Sequence, residues 1–283
     1  MAGTETKILS VSHFVEEVMK WTLDGEQPVA FRGQAFDQWH TQPKLYRDGV
    51  GIDHKEKEAV RDLISIHPQE FRDDQTMFDR LVRMQHFELP TRLLDVTTNP
   101  LVALYFATAP FSLKGSQKNG KVQAIFIPEK RRRYYDSDRV SCMANIANLT
   151  SKEKSELTTA LKLEKEEFNK QAVVLKLISF VRAEKFHFTP DIDPADIKLP
   201  VFVKPKMNNR RIIAQLGAFI LFGRKRSLLP TDSGLKLKRL IIEHDKKAAI
   251  RIQLDRLGLN AGSLFPEIDK AAQIIADRYA TKA

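Results

Sequence analysis

Between residues 92 and 109 the chain reads RLLDVTTNPLVALYFATA. This stretch leaves little choice of local structure. RLLDV has the apolar, β-branched character of a short strand. Pro100 suits the first turn of a helix, and Leu101, Leu104, Tyr105 and Thr108 then recur on one helical face. A strand must therefore turn directly into a helix, with Thr97 or Thr98 as its cap. Such a turn gathers hydroxyls and free backbone N–H groups at the positive end of a helix, where an anion or phosphate is stabilised.

The remaining segments read as an irregular mixture. SHFVEEVMKWT (12–22) predicts a helix capped by Ser12, with Phe14, Val15 and Met19 on one face. QPVAFRG (27–33) predicts a strand, and a helix opens at Asp53 with Glu56 three positions on. QTMFDRLVRMQHF (75–87) is helical, with Phe78, Leu81, Val82 and Gln85 in register, and KVQAIFIP (121–128) is a strand. Thr150 and Glu153 form a capping box for a charged helix reaching about residue 170. AVVLKLISF (172–180), LPVFV (199–203), RIIAQLGAFILFG (211–223) and LKRLIIEH (237–244) read as strands. Two helices close the chain, at 246–258 and 265–279. Strands and helices do not alternate regularly, so the expected class is α+β, with a mixed, mostly antiparallel sheet and flanking helices. With no Pro/Gly-rich linker of dividing length, the reading is a single domain over 1–283 with a charged helical insertion at about 129–172.

Composition excludes several functions. The apolar runs stay below the roughly 18 residues of a membrane span, and the N-terminus lacks a signal peptide's apolar centre. Cys142 is the lone cysteine, which points to a reducing cytoplasm and a passive thiol. No metal-ligand spacing and no G-x-G-x-x-G occurs, so neither a metal nor a Rossmann-type dinucleotide site is expected. The net charge of +10, with basic clusters at 130–133, 204–211 and 224–226, permits a polyanionic partner. Those clusters lack the aromatic interleaving of a single-strand binding groove.

The densest polar stretch, 84–107, sets Gln85, His86, Arg92, Asp95, Thr97, Thr98 and Asn99 beside an apolar helix. A buried strand carries that many polar groups when a ligand satisfies them. FRGQ (31–34), QHFELPTRLLDVTTNPLVALYFA, RRIIAQLGAFILFG and LNAGSLFPEIDKAA together resemble the FRG-domain family, over roughly residues 28–275. Val96 departs from the pattern, standing where an aromatic is common. Such domains occur mostly in bacteria and phages, and the resemblance implies a bacterial toxin or anti-phage setting, with an antitoxin or other co-encoded partner.

A second resemblance is to ADP-ribosyltransferases of the Arg-Ser-Glu type. These carry an arginine on a first core strand, a Ser-Thr-Ser strand running into a helix, and a catalytic glutamate on a later strand. Arg32, Thr97 and Thr98 match, while Gln215 stands in the glutamate's place. The resemblance implies an ADP-ribosyltransferase-like fold that takes NAD as substrate and passes ADP-ribose to a nucleic-acid or protein acceptor, or to water. Arg32 would grip the diphosphate, for which a planar guanidinium suits better than lysine. Gly33 would leave room for the ligand. Gln34, His86, Arg92, Thr97 and Thr98 would complete the cofactor site. Gln215 cannot stabilise a ribosyl oxocarbenium by charge, which makes Asp95 the substitute. A binding module without catalysis, recognising a nucleotide or nucleic-acid end, stays open beside the enzyme. So does a plain structural role for Arg32 and Arg92.

Overall fold

The computed structural model describes residues 6–23, 27–224, 228, 235–267, 272 and 276. Its strands are Thr6–Ile8 (β1), Ala30–Gln34 (β2), Leu93–Thr97 (β3), the hairpin Ser112–Leu113 (β4) with Ser116–Gln117 (β5), and Gly120–Phe126 (β6). Arg132–Tyr134 (β7), Val201–Lys204 (β8), Gly217–Leu221 (β9) and Lys236–Ile242 (β10) follow. The helices are Val11–Leu23 (α1), Glu56–Ile66 (α2), Met77–His86 (α3), Pro100–Ala107 (α4), Asp138–Asn145 (α5) and Ser151–Ala160 (α6). Next come Lys165–Asn169 (α7), Ala172–Glu184 (α8), Pro194–Lys198 (α9), Arg210–Ala214 (α10), Lys247–Arg256 (α11) and Ala261–Leu264 (α12).

Eight strands form one sheet in the order β1-β10-β6-β2-β3-β9-β8-β7. Its two outermost pairs are parallel and the rest antiparallel. The fold is the mixed α+β class expected from the sequence. The sheet is not uniformly paired. β2 pairs with β6 over five positions and β3 with β9 over five, whereas β2 and β3 share the single pair Phe31–Thr97. Extending that register would oppose Gly33 to Asp95. Instead the Asp95 carbonyl accepts from the Arg32 guanidinium. A side chain thus stands where a ladder bond would, and the sheet parts into two halves at its centre.

Two apolar clusters cover one half each, while a third, with Ala30 and Ile125 beside Leu94, Val96 and Ile220, spans both halves. On one, α4 lies on β2 and β6 with Val102, Ala103, Leu104 and Ala107 against Phe31, Val122 and Ala124. On the other, α3 and α5 bring Phe78, Leu81, Met84 and Met143 onto Leu93, Phe219 and Leu221. Gly33 answers a packing need here. A Cβ on it would stand 1.8 Å from the Ala103 carbonyl oxygen, so α4 occupies the space that the sequence reading assigns to a ligand.

Several local expectations are corrected. AVVLKLISF is helix α8, because Val173, Val174, Leu177, Ile178 and Val181 are buried at helical spacing while Leu175 is exposed. The β-branched residues favour a strand by propensity, and packing onto the helical cluster around Phe168 and Ile146 overrides it. The helical block continues to Lys198, beyond the expected limit at 172. Ser10, not Ser12, accepts from the backbone of His13 at the start of α1. Val11, Phe14, Val18 and Trp21 form the inner face of α1, leaving Val15 and Met19 exposed. The α2 segment opens with a short 3-10 turn at Asp53–Lys55, so Lys55 rather than Asp53 stands at the helix N-cap. The Thr150–Glu153 capping box is present, but α6 ends at Ala160 and α7 is separate. RIIAQ is helix α10 and its C-cap, with the strand beginning only at Gly217. The helix expected at 265–279 lies mostly outside the described residues.

Gly33→Ala should lower unfolding stability by about 1–3 kcal/mol or more, read by urea denaturation, because the added methyl meets rigid backbone that cannot yield.

Candidate functional site

A cleft of about 250 Å³ opens where the sheet halves part. From β2 come Phe31, Arg32 and Gly33, and from β3 Asp95, Val96 and Thr97. Helix α3 turns Val82, Gln85 and His86, spaced by three and four, toward it. Asn209, Arg211, Gln215 and Gly217 come from α10 and the start of β9, and Phe106 from α4. Arg32, Asp95, Thr97, His86 and Gln215 thus converge, although up to 183 positions apart (215 − 32).

Arg32 is half-buried, and among the described residues its one hydrogen bond is donated by Nη1 to the Asp95 carbonyl. Its Nε is buried without a partner. Burial pulls the guanidinium down to about 10, with Asp95 pulling it up and Arg47 pulling it down again, so it stays charged at neutral pH. Most of its donors are thus left without a partner among the described residues. A second hollow, of about 230 Å³, shares Arg32, Gln85, Asp95 and Arg211 with the cleft and adds Lys44, Arg47 and Glu88. Its cations outnumber its carboxylates. Burial also lowers Arg47, against the pull of Asp95.

The threonines hold backbone. Thr97 Oγ1 donates to the Gln215 carbonyl at 2.7 Å and accepts from Asn99 N–H at 3.0 Å. Thr98, which is exposed, donates N–H to the Leu216 carbonyl at 3.0 Å and does not line the cleft. The cap of α4 is Asn99, whose side chain accepts from Leu101 N–H at 2.8 Å. Neither expected threonine caps it, because both hydroxyls are turned to the carbonyls that follow α10. Leu216 holds φ at 45°, a costly conformation for a branched residue, and the two threonines pin its own carbonyl and that of Gln215 before it. Gln215 is thereby fixed, and its Nε2 donates to the Leu264 carbonyl at 2.9 Å.

Asp95 is exposed, and its Oδ2 accepts from Gln85 Nε2 at 2.8 Å. Gln85 is itself oriented by Thr91 Oγ1 at 2.6 Å. Gln34 is buried away from the cleft, bonded to Thr41 Oγ1 at 3.1 Å. Burial drives the Cys142 thiol to about 12.

Arg92 is the clearest departure from the expected site. It is fully buried and makes a fork with Glu56 (Nε–Oε1 2.9 Å) while donating to the Phe222 and Gly223 carbonyls at 3.0 and 2.9 Å. Lys154 reaches the same carboxylate at 2.6 Å. Burial alone would raise the Glu56 carboxyl, but Arg92 and Lys154 hold it below the usual range. Arg92 is a brace, because a carboxylate 36 residues earlier meets it in the core.

Residues of the cleft that the motifs do not single out include Asn209 and Arg211. In the sequence Arg211 stands in the basic cluster 204–211 and in RRIIAQLGAFILFG, with no role assigned to it. Asn209 is the cap preceding it, and its side chain accepts from Arg211 N–H at 2.8 Å. The basic clusters are partly structural, since Arg131 is buried on the Pro200 carbonyl and Lys206 pairs with Asp79 at 2.9 Å. In the cluster at 224–226, Arg224 donates to Thr158 Oγ1 at 2.9 Å, and the two residues after it lie outside the described ones.

Among the described residues no helix is long and apolar enough to cross a membrane, and no group of three or more His, Cys, Asp or Glu is placed to hold a metal. Residues 27–114 match the model of the FRG domain. No curated protein and no solved structure matches the chain.

The two arginines should respond oppositely to truncation. Arg92→Ala should cost about 3–5 kcal/mol in chemical denaturation, by leaving Glu56 buried with half its partners. Arg32→Ala should stay within about 1 kcal/mol of wild type, since no carboxylate is left unpaired. Because the folded Glu56 carboxyl is depressed, its stabilisation is complete above the ordinary glutamate pKa of about 4.3 and is lost as pH falls through the lower folded value. Wild-type stability should therefore fall steeply in acid below that point, and less steeply in Arg92→Ala.

Proposed function

From the FRG-domain match over residues 27–114 we propose that the cleft binds NAD and that the domain is ADP-ribosyltransferase-like, passing ADP-ribose to a macromolecule or to water. The family match names no activity; the cleft carries the reading. The supporting observation is the under-satisfied Arg32 guanidinium at the split of the sheet, facing Thr97 and Gln215 across it. β2, β3 and β9 are consecutive in the sheet, so the arginine strand, the threonine strand and the segment carrying the third position meet. That is the arrangement an Arg-Ser-Glu-type transferase needs.

Two adjoining hollows suit the two halves of a dinucleotide, with the diphosphate over the groups they share. Arg32 and Arg211 would take the phosphates, and the Gln85, His86 and Gln215 side would take the nicotinamide ribose. Gly33 permits the close seating of α4, and so sets the cleft floor without itself admitting ligand.

A second reading, a nucleotide-binding module without turnover, is favoured by one observation. Gln215 is neutral, and Asp95 of the lining is exposed and already accepts from Gln85. Incubation with labelled NAD separates the two. NAD should raise the melting temperature, and nicotinamide should be released. Binding without release selects the module, and no thermal shift at all removes both forms of the NAD reading.

Arg32→Ala should weaken NAD binding by about 1.5–3 kcal/mol, roughly 10- to 150-fold in Kd, measured by calorimetry. Arg32→Lys should recover little of it, because lysine keeps the charge but loses the fork. Unchanged affinity in Arg32→Ala would place the dinucleotide elsewhere.

A further inference from the structure

The segment from Leu264 to Glu267 is seated on the cleft by three separate contacts. The Leu264 carbonyl accepts from Gln215. Phe265 lies under the Arg211 guanidinium at 5.2 Å and edge-on to Phe106 at 6.0 Å. Glu267 Oε1 stands 3.9 Å from His86 Nε2. Gln215, Arg211, Phe106 and His86 all line the cleft. Glu267 has an unusual environment: both of its carboxylate oxygens are closed off from solvent, and among the described residues neither has a hydrogen-bond partner. Enclosing a carboxylate without donors is costly, and a purely structural glutamate would be given them, as Glu56 is.

We propose that Glu267 is a positioning residue that holds His86 as the general base of the reaction and balances the charge it takes up; this rests on the NAD reading above. The gap of 3.9 Å is about an ångström longer than a hydrogen bond and closes by side-chain rotation, as such contacts do when a ligand arrives. Glu267 then accepts from His86 Nε2–H, which fixes the tautomer and leaves Nδ1 as the base. In the reaction, the bond between ribose C1′ and the nicotinamide nitrogen breaks and its electron pair leaves with neutral nicotinamide. The oxygen of water or of an acceptor hydroxyl bonds to C1′. Its proton passes to His86 Nδ1, and the imidazolium so formed is balanced by Glu267. Other charges nearby are Arg211 and Asp95 in the cleft and, along α3, the closed pairs Arg83–Asp74 and Lys206–Asp79. Within this set Glu267 is the carboxylate that faces the imidazole.

The test compares wild type, Glu267→Gln and Glu267→Ala on the full chain by four readouts: melting temperature, NAD-induced thermal shift, nicotinamide-release kinetics and the His86 tautomer by nitrogen-15 NMR. Glu267→Gln should keep or raise the wild-type melting temperature and keep the thermal shift, with kcat lowered by about 100-fold and KM within about threefold. The Nε2–H tautomer should survive in Glu267→Gln, which still accepts, and be lost in Glu267→Ala. Undiminished kcat, a melting temperature several degrees lower in Glu267→Gln, or an unaltered tautomer in Glu267→Ala would each overturn the proposal. Failure of the NAD reading shows separately, as a wild-type protein with no NAD-induced shift, and the tautomer then still decides whether Glu267 positions His86.

Discussion

The single backbone pair between Phe31 and Thr97 sets the terms for everything else in the molecule. A sheet of eight strands joined by full ladders would bury its centre and leave no site there. Here the ladder stops after one pair, and the Asp95 carbonyl that would have continued it is taken by Arg32. One side chain therefore does two things. It takes up a strand carbonyl that the ladder leaves free, and it holds a cation at the bottom of the opening. An apolar cluster on either side packs each half, and a third that spans both ties them together, so the gap has walls of fixed position.

Arg32 and Arg92 show how partner supply decides a buried arginine's role. Arg32 lies within β2 and Arg92 immediately before β3, on strands that neighbour each other in the sheet. Arg92 meets a carboxylate, a tyrosine hydroxyl and two carbonyls, which use most of its donors. Arg32 meets one carbonyl, with Arg47 adding repulsion. A fully satisfied guanidinium stabilises the chain only in the sense that losing it leaves its partners stranded. A partly satisfied one keeps capacity for a ligand. The same residue type is thus a fastener at one strand and an under-satisfied cation at the next.

This difference also marks the limit of what is legible in the sequence. The strand-to-helix passage at 92–107 can be read there because Pro100 and the apolar period act locally. The convergence of Arg32, Thr97 and Gln215 is legible through motif order, since the topology places their strands side by side. Arg92 reads as a site residue only because Glu56 and Lys154, which reach it through tertiary packing, are distant in the chain. Gly33 announces that something must come close, but a glycine does not say whether the neighbour is a ligand or the Ala103 carbonyl. AVVLKLISF reads as a strand by its β-branched composition, and its helical burial period acquires meaning only once α5 and α6 are in place.

The third position of the site depends on strain held from two directions. Leu216 is kept at positive φ by a short turn between α10 and β9, a conformation that costs about 1–3 kcal/mol for such a residue. Thr97 and Thr98 grip the carbonyls of Gln215 and Leu216, and from the far side the Leu264 carbonyl grips the Gln215 amide. The polar groups of the threonine strand are thus used to fix a neighbouring turn. It follows that the segment from Leu264 to Glu267 belongs to the site physically: removing it frees the Gln215 amide, uncovers Phe106 and takes Glu267 from His86 in one step. The family match covers residues 27–114, which hold Arg32, His86, Asp95 and Thr97, but the elements that complete the cleft around them come from the second half of the chain.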